Sequence, residues 1–317
     1  MTTNWRWPTP RYFPWQEYSA RPLHYVLPRM VTSVADVAPV SPICDNDGER
    51  AAAALLILGT EATLRNLPIT PGYCRISASQ VRLLMSAQAG QLRALGRLSR
   101  GVTVESLIDA HRTITLHNRS LRDGAVWMGG NGTIIDAATV APPADLIRPY
   151  LENFIQVWPR LRSNRVSEIA FVYLQLTSIH PFWDGNGRLG RSLVAAKRMR
   201  NGSLLDAIAL MCVIAHRRSR VARTHREAQT GNPLPMLEMW RNAFRAAQRL
   251  SIAIRERLNG PLGPDAAGYH PIELVKPAFL RKDETNMQAG EATLLIGEIL
   301  ECLSTIAQPS STKKKPS

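Results

Sequence analysis

Twelve consecutive residues constrain this chain more than any other stretch: His180 to Arg191, reading H-P-F-W-D-G-N-G-R-L-G-R. Pro181 and Gly185 break regular structure, so the stretch reads as a loop. The run from Asn186 to about Arg200 is rich in Leu, Ala, Lys and Arg and predicts a helix. The glycines then stand at a helix N-terminus, where unpaired N–H groups and the helix dipole attract anions. Gly185 and Gly187 carry no side chain, so a phosphate can approach the backbone closely. Asn186 adds an amide donor. Arg188 and Arg191 are three apart, share one face of the helix and can both reach a polyphosphate. Asp184 can offer a carboxylate oxygen to a divalent cation, as magnesium sites at phosphates do. His180, four residues before it, is placed to act as a general base. As chemistry, these residues describe a Mg-nucleotide site with its own base. The plainer alternative is a glycine-rich helix entry beside a surface histidine.

A second informative stretch runs from Arg122 to Pro143, R-D-G-A-V-W-M-G-G-N-G-T-I-I-D-A-A-T-V-A-P-P. Val126-Trp127-Met128 and Thr133-Ile134-Ile135 are β-prone, and Gly129 to Gly132 between them predict a hairpin turn. Such a hairpin is too small to be stable alone and needs helices to pack on.

The 180–191 stretch resembles the signature of the Fic (filamentation-induced-by-cyclic-AMP) family, H-P-F-x-[D/E]-G-N-G-R-x-x-R, with every fixed position present. The resemblance implies an all-α Fic-type fold with one small β-hairpin. It implies AMP transfer from ATP to a Ser, Thr or Tyr hydroxyl of a target protein, with release of pyrophosphate. On this reading His180, Asn186 and Arg188 form the catalytic set, with His180 deprotonating the target hydroxyl. Gly185, Asn186 and Gly187 form the anion hole for the α-phosphate. Arg188 contacts the phosphate chain, Arg191 holds the terminal phosphate, Asp184 binds Mg²⁺, and Phe182 anchors the loop. The related Doc branch, which phosphorylates its target, has Lys where this chain has Gly187, so Gly187 favours AMP transfer. Chemistry of this kind is mostly positioning and charge stabilisation. The 122–143 stretch resembles the family's flap, R-x-x-x-V-W-x-G-G, with Arg122, Val126, Trp127, Gly129 and Gly130 in place. Pro142-Pro143 matches the double proline that follows it. The flap would align a target segment by adding it as a strand.

Departures from the family pattern are informative too. Many members carry an upstream inhibitory helix, [S/T]-x-x-x-E-[G/N], whose Glu pairs with the second motif arginine. No Glu here has Ser or Thr four residues before it; the nearest placement puts Arg65-Asn66 where Glu-Gly or Glu-Asn belongs, with Glu61 in the Ser/Thr position. An arginine there would repel Arg191. The expectation is that internal inhibition by this device is absent, leaving inhibition to a separate antitoxin-like protein or a homo-oligomer. A role as a toxin or effector fits that arrangement. Where the family often has a Tyr-Tyr pair, this chain has His225-Arg226.

The rest of the chain is read around these stretches. Residues 1–45 form an irregular Pro- and Trp-rich arm, 46–258 a catalytic domain with its motif at 180–191 and flap at 122–143, and 259–317 a linker, short helices and a basic tail. Helices are predicted over 51–66, 77–97, 103–116, 146–157, 167–179, 186–200, 204–213 and 233–258. Thr103 is a candidate N-cap. Ile169, Val172, Leu176 and Ile179 mark a buried stripe on the helix that delivers His180. His111 and His117 read as packing or surface groups. Arg217, Arg220, Arg223 and Arg226 recur every third residue and make a basic stripe, read chiefly as a solvated face.

Lys and Arg outnumber Asp and Glu 39 to 25, a net charge of +14. That balance admits nucleic acid, an anionic membrane or an acidic protein as partner. Cys44, Cys74, Cys212 and Cys302 are too scattered for a zinc site or a disulfide framework and fit a cytoplasmic chain. The longest apolar run, Ala51 to Leu58, is too short to span a bilayer, so no membrane association is expected. Two rivals stand beside AMP transfer: transfer of another nucleotide or a phosphoryl group, and a basic nucleic-acid-binding regulator with a vestigial site.

Overall fold

The computed structural model describes residues 47–65, 69–70, 73–74, 78–115, 120–128, 139–229 and 232–259. The expected N-terminal arm, the hairpin turn with Gly129 and Gly130, His117 and the C-terminal segment lie outside the described residues. The elements in chain order are α1 (Asp47–Leu64), β1 (Ile69–Thr70), β2 (Tyr73–Cys74), α2 (Ala78–Arg100), α3 (Val104–Thr115), β3 (Trp127–Met128) and β4 (Thr139–Val140). Then follow α4 (Ile147–Val157), α5 (Val166–Ile179), α6 (Asn186–Arg198), α7 (Leu204–His216), α8 (Arg218–Gln229) and α9 (Leu234–Asn259). The architecture is all-α, as expected, with two-residue strands as its only β-structure among the described residues.

The chain divides into two compact units, and it passes between them within α2, before and after α7, and within α9. One unit holds Arg93–Asn201 and Arg217–Asn242, and with them the whole of the 180–191 motif. Its centre is α5. The sequence predicts a buried stripe there, and Ile169, Val172, Leu176 and Ile179 are all fully buried. The burial goes further: Ala170, Phe171, Leu174 and Ser178 are buried as well, so neighbours cover α5 nearly all round. α6 packs most extensively against it, and α4 lies against another side. Lys197, a cation on the buried part of α6, donates to the Trp158 carbonyl at 2.6 Å and stands 4.8 Å from the Trp158 ring centroid. α3 starts where Thr103 predicts. Thr103 Oγ1 accepts the Ser106 N–H at 3.0 Å and Ser106 Oγ accepts the Thr103 N–H at 2.8 Å, a reciprocal cap. On α8 the arginines Arg220, Arg223 and Arg226 are exposed, whereas His225 is buried.

The flap strand β3 pairs antiparallel with β4, Trp127 opposite Val140 and Met128 opposite Thr139. The partner is thus Thr139–Val140 and not Thr133–Ile135, which lies outside the described residues. Both residues of β4 are β-branched, and they lead directly into Pro142-Pro143, whose lack of N–H donors ends the pairing. The Ala141 N–H extends the ladder by donating to the Val126 carbonyl at 2.9 Å.

The other unit holds residues 47–92, 202–216 and 243–259. Its core is α1 against α7, with Ala53, Leu56 and Ile57 buried on α1 and Leu205 and Ala207 to Ala215 buried on α7. Cys212 is a buried thiol there, its Sγ 3.5 Å from the Leu56 carbonyl. Arg255 on α9 ties three elements together, reaching Glu49 at 2.7 Å, Asp206 at 3.2 Å and Ser203 at 2.7 Å. Arg65, one residue past the end of α1, pairs with Glu61 in its last turn at 3.5 Å, and Gln91 also donates to Glu61. No described helix is long and apolar enough to cross a membrane.

Candidate active site

α5 ends because Pro181 follows His180. A residue before proline is disfavoured in the right-handed helical region, and His180 turns left-handed, with φ 50° and ψ 60°. It is the one non-glycine residue with positive φ among those described. Such a conformation costs about 1–2 kcal/mol and persists only where its surroundings hold it.

Arg122 does the holding. Its backbone N–H donates to the Pro181 carbonyl at 2.9 Å and its Nε to the His180 carbonyl at 2.7 Å. Nη1 reaches the Gly124 carbonyl at 2.6 Å; Nη2 reaches the Pro142 carbonyl at 2.5 Å and the Ile179 carbonyl at 3.4 Å. The side chain is buried, and every one of these partners is a carbonyl oxygen. Burial pulls its guanidinium down to about 10, so it remains a cation at neutral pH. The residue expected to belong to the flap therefore locks the end of α5 to both sides of the flap's base.

The half-buried His180 ring is oriented by its own helix. Nδ1 lies 3.3 Å from the Thr177 carbonyl, a bond that requires the proton on Nδ1 and leaves Nε2 with a lone pair. Burial lowers its pKa to about 4; the Thr177 carbonyl and Asp184 oppose the shift, while the Arg122 charge adds to it. At neutral pH the imidazole is therefore an unprotonated base.

Between His180 and α6 the loop is closed by packing and by Asn186. Phe182 is fully buried and stacks on His111, ring centroids 3.7 Å apart and planes 3° from parallel. His111 Nε2 donates to the Asp184 carbonyl at 2.7 Å. The Asn186 side chain accepts the Phe182 N–H at 3.0 Å and donates to the Phe182 carbonyl at 2.7 Å. Its amide is thus spent on the loop, and what Asn186 offers outward is its backbone N–H. Gly185 takes φ 82° at the start of α6. The first intrahelical bond runs from the Leu189 N–H to the Gly185 carbonyl at 2.9 Å, so the N–H groups of Asn186, Gly187 and Arg188 have no acceptor within the helix.

Charged side chains surround those N–H groups. Asp184, with 75% of its side chain exposed, pairs with Arg188 at 3.2 Å. An ion pair at the surface contributes about 1 kcal/mol or less and yields readily to a ligand. Arg191 is 8% exposed and lies back along α6, Nη1 3.5 Å from where a Cβ on Gly187 would stand. Among the described residues no carboxylate pairs with it. Trp183 stands 47% exposed, its ring over Gly124, and Trp127 on the flap strand is 39% exposed. Val126 is half-buried beside it.

The structure thus gathers His180, Asp184, Gly185, Asn186, Gly187, Arg188 and Arg191 along one loop and helix start, with Arg122 beneath and Trp127 on the flap. Sequence reasoning left His111 out of the site. His111, expected as a packing or surface group, does stack on Phe182, but its hydrogen bond to the motif loop spans 73 residues of sequence and leaves no local pattern.

Residues 101–196 match the model of the Fic/DOC family. No curated protein matches the chain in sequence. Among solved structures, a Fic family protein from Desulfovibrio desulfuricans G20 superposes with a TM-score of 0.52 at 18% identity, over 78% of this chain and 75% of that one. A Fic-domain-containing signalling protein from Bacteroides thetaiotaomicron VPI-5482 gives 0.48 at 14% identity, over 68% and 93% of the two chains. Fic-1 from C. elegans gives 0.43 at 17%, over 62% and 57%. The motif, the α5–loop–α6 geometry and the family match all fall on the same residues, so that residues 101–196 form a Fic/DOC domain.

Proposed function

We propose that this chain is a protein adenylyltransferase. Members of its family commonly transfer AMP or other nucleotidyl groups to proteins. What carries the reading is His180: a neutral imidazole, its Nε2 lone pair available, fixed in a strained backbone conformation directly before a helix start with unpartnered N–H groups. In the reaction a Ser, Thr or Tyr hydroxyl of the target attacks the α-phosphorus of ATP. His180 Nε2 takes the hydroxyl proton, a new P–O bond joins AMP to the target, and the bond to pyrophosphate breaks. The N–H groups of Asn186, Gly187 and Arg188 stabilise charge on the α-phosphate; Arg188 and Arg191 hold the rest of the chain.

The donor set also fits Mg²⁺. Asp184 presents an exposed carboxylate at the helix start, with one oxygen engaged by Arg188 and the other open. No group of three or more His, Cys, Asp or Glu residues among those described could enclose an ion, so a cation here would rest on Asp184 and the nucleotide phosphates. Bound there, it would neutralise phosphate charge. The exposed Trp127 and Trp183 offer apolar surface to the target segment, which belongs to an unidentified protein.

His180→Ala is expected to abolish label transfer from α-labelled ATP while ATP still binds; transfer that persists overturns the assignment of the base. Competition of UTP, GTP and CTP against labelled ATP tests the donor. The exposed Arg220, Arg223 and Arg226 favour a second reading, a nucleic-acid-binding regulator. DNA binding that falls steeply with salt, with no transfer activity, would select it. Inhibition by a separate protein or a second copy of the chain accords with Arg65 standing where an inhibitory Glu would be.

A further inference from the structure

The motif accounts for Arg191 but not for a second polar group that lies on the same side of α6. Tyr173 sits on α5, seven residues before His180, and its ring runs along the α6 face marked by Gly190 and Gly187. A Cβ on Gly190 would lie 3.2 Å from Tyr173 Cδ2 and Cε2; a Cβ on Gly187 would lie 3.5 Å from the Tyr173 hydroxyl. The ring therefore points its oxygen toward the start of the helix, one turn nearer than its own carbon skeleton. Arg191 Nη1 lies at the same 3.5 Å from that Gly187 position, so the phenol and the guanidinium bracket one space.

The ring is held from behind. His225 meets it edge-on at 5.3 Å and 77°, and Trp240 at 5.8 Å and 60°. Those two are themselves joined, Trp240 Nε1 donating to His225 Nε2 at 3.0 Å. Tyr173 is only 7% exposed, yet its hydroxyl has no hydrogen-bond partner among the described residues. The oxygen itself is not among the enclosed unpaired polar atoms, so solvent, or a ligand in its place, can reach it. Its neighbours here are a helix N-terminus and an arginine without a carboxylate, both of which call for an anion.

We propose that Tyr173 is a further phosphate-binding residue of this site: its hydroxyl donates to an oxygen of the nucleotide's phosphate chain between the α6 start and Arg191. This rests on the nucleotide reading above and extends it to a residue outside the motif, one that adds a neutral donor where the motif supplies only cations and backbone. Gly187 belongs to the same device, because any side chain there would enter the space between the phenol and the guanidinium.

The test is Tyr173→Phe in the full chain, which removes one oxygen and keeps the ring against His225, Trp240 and Gly190. Binding of ATP with Mg²⁺, and of pyrophosphate alone, is measured by titration calorimetry beside the unliganded melting temperature. A hydrogen bond to a charged acceptor supports an expected weakening of about tenfold or more for both ligands, with the melting temperature unchanged. Equal binding by variant and wild type overturns the role of Tyr173 and leaves the nucleotide reading intact. A weakening accompanied by a lowered melting temperature also overturns it, since the hydroxyl would then be serving the fold. A wild type that binds neither ligand overturns the nucleotide reading and this inference together.

Discussion

A Cβ on Gly185 would lie 2.5 Å from Thr115 Cγ2 and 2.9 Å from His111 Nε2, in a backbone conformation with φ 82°. A Cβ on Gly187 would meet nothing nearer than 3.5 Å. The sequence assigns both glycines to close phosphate approach, because the pattern G-N-G shows only that side chains are missing. Which glycine is required by the fold depends on α3, which the motif does not encode. Gly185→Ala combines left-handed strain with overpacking and should cost about 2 kcal/mol or more. Gly187→Ala, already helical, should stay within about 1 kcal/mol of wild type. Urea unfolding of the two variants checks this, and equal losses would contradict the packing described. His180 makes a second prediction at this scale. The neutral imidazole is the active form and its pKa is lowered to about 4. The kcat/KM for transfer should therefore hold steady from pH 7 to about 5 and decline toward 4. A break near pH 6.5 would mean that the ring is ordinarily solvated.

At the scale of elements, the helices were legible because their signals are local: the Thr103 cap, the stripe on α5, the proline after His180. What was not legible depends on contacts far apart in sequence. α5 is buried nearly all round because other elements pack on it, and no period within fourteen residues announces that. The partner of β3 lies eleven residues beyond Met128 because β-branched residues occur at both 133–135 and 139–140, and propensity cannot choose between them. Arg122 is the sharpest case, a flap residue by pattern and a clamp on the end of α5 by geometry. Arg122→Lys keeps the charge but replaces a planar fork by one ammonium, which cannot serve the carbonyls of His180, Gly124 and Pro142 together. Leaving buried carbonyls unpaired should cost about 3 kcal/mol. Transfer should suffer more than stability predicts, because His180 would be released from its left-handed conformation. A lysine variant with wild-type melting temperature and turnover would show that the clamp is dispensable.

For the molecule as a whole, the surplus of arginine predicts solubility and anionic partners but says little about stability, which depends on the groups removed from water. Two of these are histidines in the motif-bearing unit. Burial drives His225 down to about 3, and burial first, with the Arg122 charge, drives His180 down to about 4, from an ordinary 6.5. Once unfolded, each takes up its proton near pH 6.5. Between pH 6.5 and 4 the unfolded chain thus binds two protons that the native chain does not, and stability falls as pH falls. From 4 to 3 only His225 still contributes, and below 3 neither does. Each proton sets a slope of about 1.4 kcal/mol per pH unit. His225→Gln removes one titrating group and keeps an acceptor for Trp240 Nε1. Carboxylates titrate in the same range, but they are common to both proteins and cancel in the comparison. Unfolding free energies measured at pH 4, 5, 6 and 7 should therefore show the variant losing stability toward acid less steeply, by about 1.4 kcal/mol per unit between pH 6 and 4. Parallel pH profiles would mean that His225 is protonated, or reached by water, in the native fold.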